Sequence, residues 1–583
     1  FQGSFTWADV CALMPHAVDT EMAELVAHCL VQQQSAGRYH LHALVQQCAG
    51  SAQRVSSIKH NALAASHSAY FLNRLVTWRD DFYRLALPTL LGAVAQDWAN
   101  VHAAWQWAIQ HGKVTLLDMA LDGFCAAYYF QHYHEEGINL WRDTAAALTK
   151  YFANAATDDL RSWQQLDCRL LIKQARHLSA LQKYAEAAAL VEQILDHAGL
   201  GPETEFEALL IQGWIDETVN EVHERRRAKL NSLINSARMQ GEYWCIIATY
   251  KRDHGDVREA YDAGHQALLL YESIEDYVGQ ALALRNIAIS CVHLNKLTEA
   301  SQHLERAMPW AQQRQDLSTE ASLHEIAGMV CSRLGDHGAA IEAFTLARDS
   351  FSQLGKSKSQ QSMVVNLALE LVFVGRYAEA RQQYESALEF FSSVFQRDRP
   401  ACYIYLNLGL LCHTIGEQQA ALQATEQALA LARELQLAYL EGYALTNLGY
   451  IYAALDCCEE AERAYLAALA IREELDETVL ALETKAGLAR LAFSCGNLPV
   501  AQEWIAPILT YLEDGTLDGA EEPLRIYLTC YRLLCAAGDD RAAHLRTQMR
   551  AQVQQQAALI SDPALRHSFL SQVPYHRKIM ELG

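Results

Sequence analysis

The sequence predicts an all-α solenoid of about nine helical pairs with a period near 40 residues. Three observations carry that prediction. Turn-forming residues recur every 40 or 41 positions at Asn295, Gly335, Gly375, Gly416 and Asp456. Small residues follow each turn at fixed offsets, first Ala300, Ala340, Ala380, Ala421 and Ala461, then Ala307, Ala347, Ala387, Ala428 and Ala468. Composition agrees: 51% of the 583 residues are hydrophobic, only ten are proline, and Ala, Leu, Gln and Glu are abundant. A solenoid lengthens by repetition, so a chain of this size does not require several separate cores.

Within one repeat the pattern describes two amphipathic helices. Nine residues after the turn stands a larger side chain, Leu304, Phe344, Tyr384 or Tyr465, with Thr425 as the exception. Before the turn come Ile287-Ala288, Ala327-Gly328, Leu367-Ala368, Leu408-Gly409 and Leu448-Gly449, small positions where two helix backbones can approach. The register extends downstream through Gly496 and Gly538, and upstream through Gly255 and Gln182, with a degenerate unit near Asn220. The array is therefore expected over residues 160–553, stacked as a right-handed superhelix with a concave face. This pattern, and words such as Asn447-Leu448-Gly449-Tyr450-Ile451-Tyr452, resemble the tetratricopeptide (TPR) repeat in its longer form.

Taken from the start of the chain, Phe1-Gln2-Gly3-Ser4 looks like the remnant of a cleaved purification tag, which places the native beginning upstream. Residues 5–50 read as helix (Thr6 to Leu13), helix (Thr20 to Leu30), a hairpin of Val31 to Gln34 with Arg38 to Leu41, then helix: the back part of a winged helix. Arg38-Tyr39-His40-Leu41-His42-Ala43-Leu44-Val45 resembles the winged-helix module of STAND signal-transduction NTPases. In that family a Met-His-Asp-Leu motif sets its histidine against nucleotide phosphate. The resemblance makes His42 the nucleotide-sensing residue of the full-length protein, although Ala43 replaces the family aspartate; a helix-start histidine packed on the hairpin is the other reading. Residues 51–159, with Ser66-His67-Ser68-Ala69-Tyr70-Phe71 and Glu136-Gly137-Ile138-Asn139-Leu140-Trp141, look like the helical linker that precedes TPR arrays in bacterial STAND regulators. Residues 554–583, including Leu565-Arg566-His567-Ser568-Phe569-Leu570, resemble their terminal cap.

Several chemistries find no support. There is no GxxxxGK[ST] loop, so this chain is not expected to be an enzyme or to hold a cofactor; the resemblance places ATP or ADP on an NTPase domain outside it. The paired carboxylates Glu459-Glu460 and Glu521-Glu522 read as solvated turns or exposed helix starts. A net charge of −22 repels phosphate backbones, so nucleic acid is not an expected direct ligand, and the basic run Arg225-Arg226-Arg227-Ala228-Lys229 reads as a solvated helix face. No run of eighteen apolar residues or signal peptide is seen, and the chain reads as cytoplasmic, with no membrane partner. The fifteen cysteines include Cys291, Cys331 and Cys412 at one repeated core position, and look like small buried hydrophobes. No zinc motif is present, and His132-Tyr133-His134-Glu135 is too sparse to assign a metal.

The recurrent signal without an obvious packing role is asparagine nine residues before the turn: Asn286, Asn366, Asn407 and Asn447. An amide both donates and accepts, which suits the backbone of an extended peptide or the hydroxyls of a small ligand, and equally suits a bond that fixes repeat geometry. Arg285 and Arg490 lie near the same face and could meet an anion, and Tyr403, Tyr443 and Tyr450 could supply aromatic walls or core packing. The resemblance implies a ligand- or partner-sensing domain. A peptide, protein or small-molecule inducer in the groove would relieve restraint on the protein's own NTPase domain and permit self-assembly. A constitutive TPR scaffold without switching is the alternative.

Overall fold

The computed structural model describes residues 1–583 except 17–18, 35–36, 43–44, 46–56, 85–86, 154–156, 198–199, 216–219, 254–255, 395–398, 518 and 583. It contains 28 helices and one three-stranded sheet among the described residues. The chain divides into two compact units. Unit 1 holds Phe1–Ile246, Gln266–Ala281 and Trp310–Asp316; unit 2 holds Ile247–His265, Leu282–Pro309 and Leu317–Gly583. No helix among the described residues is long and apolar enough to cross a membrane.

Unit 1 opens with strand β1 (Phe5–Thr6) and helices α1 (Trp7–Leu13) and α2 (Asp19–Ala27), then strands β2 (Val31–Gln33) and β3 (Arg38–Leu41). Thr6 caps α1 through a reciprocal box, its Oγ1 accepting from the Asp9 amide while Asp9 Oδ2 accepts from the Thr6 amide at 2.7 Å. The expected hairpin is present, with Val31 opposite Leu41, and β1 adds a strand on its far side by pairing Phe5 with Tyr39. Apart from Val45, the helix expected after the hairpin lies outside the described residues, as do Ala43 and Leu44. Phe1 stacks on Phe5, and the Gln2 amide donates to Asn100 at 2.8 Å, so residues 1–4 pack into this module.

The region read as a linker consists of α3 (Ser57–Arg84), α4 (Leu87–Gln110), α5 (Val114–Phe130) and α6 (His134–Phe152). Trp105, Phe124 and Trp141 form its buried aromatic centre. Asp97 of α4 takes Arg38 of β3 at 2.6 Å and Arg74 of α3 at 2.5 Å, which ties the N-terminal module to these helices. The Gly112 and His132 turns adopt positive φ, the same geometry as the repeat turns described below. Unit 1 continues with α7 (Thr157–Ala180), α8 (Tyr184–Leu195), α9 (Pro202–Ile215) and α10 (Asn220–Leu233). In the basic run Arg226 is buried and Lys229 pairs with Glu205 at 3.2 Å; the reading as a solvated face does not hold for Arg226.

The remaining helices are α11 (Ala237–Asp253), α12 (Val257–Ser273), α13 (Tyr277–His293), α14 (Leu297–Arg314), α15 (Leu317–Arg333), α16 (His337–Gln353), α17 (Ser357–Phe373) and α18 (Tyr377–Val394). They continue through α19 (Arg399–Thr414), α20 (Gln418–Glu434), α21 (Ala438–Ala454), α22 (Cys458–Glu474), α23 (Thr478–Ser494), α24 (Leu498–Asp514), α25 (Pro523–Ala537), α26 (Arg541–Leu559), α27 (Pro563–Ser571) and α28 (Pro574–Glu581). From α7 to α26 the described helices fall into ten pairs, against about nine expected. The fold is an all-α tandem array of TPR-like hairpins.

Two local rules build each hairpin. The turn residue takes a left-handed conformation, with φ of 56° at Asn295, 76° at Gly335, 79° at Gly375, 89° at Gly416 and 60° at Asp456. Glycine adopts this without strain, and Asn and Asp tolerate it better than other side chains, which explains the residue types on the register. The second rule is a small residue facing a large one sixteen positions later. A methyl group on Gly328 would fall within 3 Å of Phe344, and one on Gly449 within 3 Å of Tyr465. Tyr465 and Tyr384 are fully buried there. Connections between hairpins reuse positive φ without glycine at Glu275, Gln315, Gln436 and Asp476.

Unit 2 ends by turning back on itself. Gln556 of α26 sits against Gly335, Ile560 against Gly338, and Ser568 and Gln572 against Gly375. Phe569 of α27 shares one core with Val374, Met549 and Ile579. The segment read as a terminal cap thus covers the α15–α16 and α17–α18 turns. Replacing Gly449 by Ala should lower the urea midpoint by an amount equivalent to about 1–3 kcal/mol, because the methyl overpacks Tyr465. Gly92→Ala, at an exposed mid-helix position with open space, should raise it by up to about 1 kcal/mol.

Candidate functional site

The first helices of successive hairpins, α17, α19, α21, α23 and α25, touch one another in order and form the inner wall of unit 2. Three residues singled out from the sequence, Tyr443, Asn447 and Tyr450, meet on it in one enclosed space with Arg472, Glu483, Glu521 and Glu522. About 10 Å³ remains free there, barely room for one water. Tyr443 and Asn447 are half-buried, whereas Tyr450 is 5% exposed. The Arg472 guanidinium lies 3.9 Å from the Tyr443 ring centre, and Arg525 lies 3.9 Å from that of Tyr450. Arg490 covers the same Tyr450 ring at 5.2 Å and donates to Thr529 Oγ1 at 2.8 Å.

The connection between α24 and α25, residues 515–522, lines the space with Glu521 and Glu522. Its Gly519 carbonyl accepts from Arg333 Nη1 at 2.6 Å, and the Glu521 amide donates to Glu483 Oε2 at 3.2 Å. Gly519 has φ of 93° and presses on Asn295, so no side chain fits there. Leu517 and Ala520 are buried beside it. Glu522 stands at the N-cap position of α25 without a side-chain capping bond, and its carboxylate pairs with Arg525 at 2.6 Å. The expectation that Glu521 and Glu522 are exposed is therefore overturned: Glu522 is 8% exposed and Glu521 half-buried, while Glu459 and Glu460 are exposed as expected. Three residues, 475–477, join α22 to α23, whereas eight join α24 to α25.

The remaining sequence candidates divide. Asn286 is 2% exposed, inside the helix packing rather than open to the groove, so it is withdrawn from the groove set. Asn407 stands beside the buried Tyr384 hydroxyl, and Asn366 is half-buried on α17. Tyr403 bonds the Tyr439 hydroxyl at 2.8 Å. Arg285 faces Glu325 of the next first helix. His42 closes β3, its amide donating to the Leu30 carbonyl at 3.4 Å. His134 turns inward, with Nδ1 3.0 Å from His177 Nδ1.

Sequence reasoning missed a His265, Glu299 and His303 cluster, whose ligating atoms lie within 4.8 Å of one another. Glu299 and His303 are one helical turn apart on α14, a spacing visible in the sequence; His265 comes from α12. Glu299 already pairs with Lys296 at 3.2 Å and accepts from the Tyr261 hydroxyl, so the cluster's charge is met internally.

Burial is the largest influence on the inner carboxylates. It pushes Glu483 up to about 7, reinforced by the like charges of Glu521 and Glu522. Burial also opposes ionisation of Glu522, but the adjacent Arg525 guanidinium overrides it and holds that carboxyl below its usual range. For Glu521 burial wins over Arg333 and Arg472, and its pKa is raised. A folded-state pKa above the unfolded value stabilises the fold at low pH and loses that contribution as pH rises through the folded value. Glu483→Gln keeps an acceptor for the Glu521 amide and removes the titration. Between about pH 5 and about pH 8 the wild type should lose more thermal stability than Glu483→Gln. Superimposable pH profiles would refute the assignment.

The TPR repeat family model matches residues 359–434, α17 to α20. No curated protein matches the chain. Among solved structures, similarity is found to a Rap protein complexed with competence and sporulation factor, at 13% identity and TM-score 0.48, covering 60% of this chain and 98% of that one. A STAND protein with a tetratricopeptide repeat sensor from Pyrococcus horikoshii follows at 13% identity and TM-score 0.45, covering 76% of this chain. The present chain spans 63% of that protein's length. NprR in complex with its cognate peptide NprX is similar at 15% identity and TM-score 0.38, covering 58% of this chain and 98% of that one.

Proposed function

We propose that this chain is the sensing region of a STAND-type signal-transduction ATPase, with the inner wall of unit 2 as its ligand groove. The observation that carries this reading is the meeting of Tyr443, Asn447 and Tyr450 around an irregular segment, held by its carbonyl, amide and carboxylates. A wall that holds backbone and acid groups in this way has the donors and rings needed to hold those of a partner. Support for the STAND assignment comes from the order of the sequence motifs: hairpin and His42, helical region, TPR array, cap. In this reading His42 answers to nucleotide on an ATPase domain outside this chain. Groove occupancy then shifts how the array restrains that domain, permitting nucleotide exchange and self-assembly. The chain itself performs no chemistry.

A thermal-shift screen of the chain against peptide pools, sugars, nucleotides and metabolites tests this directly. A true groove ligand at about one hundred times its Kd should add about 2.7 kcal/mol of stability. The Asn407→Ala/Asn447→Ala double variant should lose most of that gain while its unliganded melting point stays within a few degrees. If nothing in the pools stabilises the wild type, or the double variant responds equally, the groove reading fails.

A further inference from the structure

The eight-residue connection 515–522 is longer than the fold requires, since three residues make the corresponding link at 475–477. Its extra length is spent crossing to the inner wall. There the Gly519 carbonyl meets Arg333 at 2.6 Å, and the Glu521 amide meets Glu483 at 3.2 Å. The Glu521 carboxylate is attracted by Arg333 and Arg472. These are the contacts an extended acidic peptide makes with a receptor: guanidinium to carbonyl, carboxylate to N–H, and guanidinium to carboxylate. They join residues 186 positions apart, Arg333 and Gly519, so they are tertiary and not part of any hairpin.

The fit is also imperfect in one respect. Glu483, Glu521 and Glu522 converge on a single space, so the segment brings two carboxylates to a wall that already presents a third. An incoming peptide with one acidic residue, followed by an uncharged one, would keep the Arg333 and Arg472 contacts, give up the Glu522–Arg525 pair and relieve part of that repulsion.

We propose that Gly519–Glu522 is a built-in pseudo-ligand, occupying a site whose external ligand is an extended peptide bearing one carboxylate side chain. This rests on reading the inner wall of unit 2 as the ligand groove. Arg333 takes the ligand's carbonyl, Arg472 its carboxylate and Glu483 its amide. The Tyr443 and Tyr450 rings, each backed by a guanidinium, wall the site. Entry of the ligand requires the segment to withdraw.

The test uses the full chain and a fluorescein-labelled, end-blocked hexapeptide spanning residues 517–522 with Asn in place of Asp518, and with its Glu521 and Glu522 equivalents in three forms: both Glu, first Glu with second Gln, and both Gln. Anisotropy is followed on the wild type, on Glu521→Ala, which weakens the internal competitor, and on Glu521→Ala combined with Arg333→Ala. The single-carboxylate peptide should bind Glu521→Ala at least tenfold more tightly than wild type, and the double-Gln peptide and the Arg333→Ala background should each cost at least tenfold. Saturating peptide on the wild type should raise amide hydrogen exchange over 517–522, with circular dichroism unchanged. Equal affinity for wild type and Glu521→Ala would overturn the pseudo-ligand while leaving a groove that binds peptide. Binding to neither would overturn it as well, and the thermal-shift screen then decides separately whether the groove takes another ligand class.

Discussion

Every level of this structure depends on one contact, the close approach of two helices at a small residue faced by a large one sixteen positions later. At Gly449 and Tyr465 the approach leaves no room for a methyl group, and Gly328 with Phe344 repeats it. Such a contact is short in sequence, so it forms within one hairpin and needs no help from distant parts of the chain. Its other requirement is a reversal in three residues, which the left-handed turn at Gly335, Gly375 or Asp456 supplies. Given both, the hairpin's two faces are determined, and stacking the first helices places their exposed edges along one wall.

That wall explains how an acidic chain can contain a site for acids. The net charge is −22, yet Arg333, Arg472, Arg490 and Arg525 are gathered on or beside the inner wall. Buried guanidinium groups need partners, because removal from water costs more than an unpaired charge recovers. Aromatic faces supply part of that compensation at Tyr443 and Tyr450, and the carboxylates of Glu521 and Glu522 supply the rest. The unusual groups are therefore mutually dependent: Arg472 is buried and Arg333, Arg490 and Arg525 are half-buried beside the segment, and the segment is held because the arginines are there.

The periodic part of this architecture was legible in the sequence because its causes are local. Turn residues and the small-to-large pairs lie within one repeat, and both were read correctly at Asn295 through Asp456. The turns between hairpins were not, because Glu275, Gln315 and Gln436 adopt positive φ without the glycine that announces it. The candidate site was legible only in part. Tyr443, Asn447 and Tyr450 could be placed on one face by register, while Asn286 shares the register and is buried. The inserted segment could not be foreseen from periodicity, since its contacts join Arg333 to Gly519 and Glu483 to Glu521. A carboxylate pair ahead of a proline reads locally as an exposed helix start, and only the tertiary fold buries it.

The folded-back C-terminus gives that insertion its setting. Phe569, Ile579 and Met549 build one core with Leu517, Ala520 and Leu524 around the segment, and Val374 of the α17–α18 turn belongs to it. The apolar anchors on either side of Gly519 are thus continuous with packing that reaches the middle of the array. Moving the segment off the inner wall would disturb a core shared by α17, α23, α24, α25 and the terminal helices. A local event at Glu521 is in this way physically joined to the seating of the last helices on the Gly335 and Gly375 turns. Coupling of that kind needs a contiguous packed element with two possible arrangements. The segment and its core supply the contiguity, and the proposed withdrawal of Gly519–Glu522 is the second arrangement.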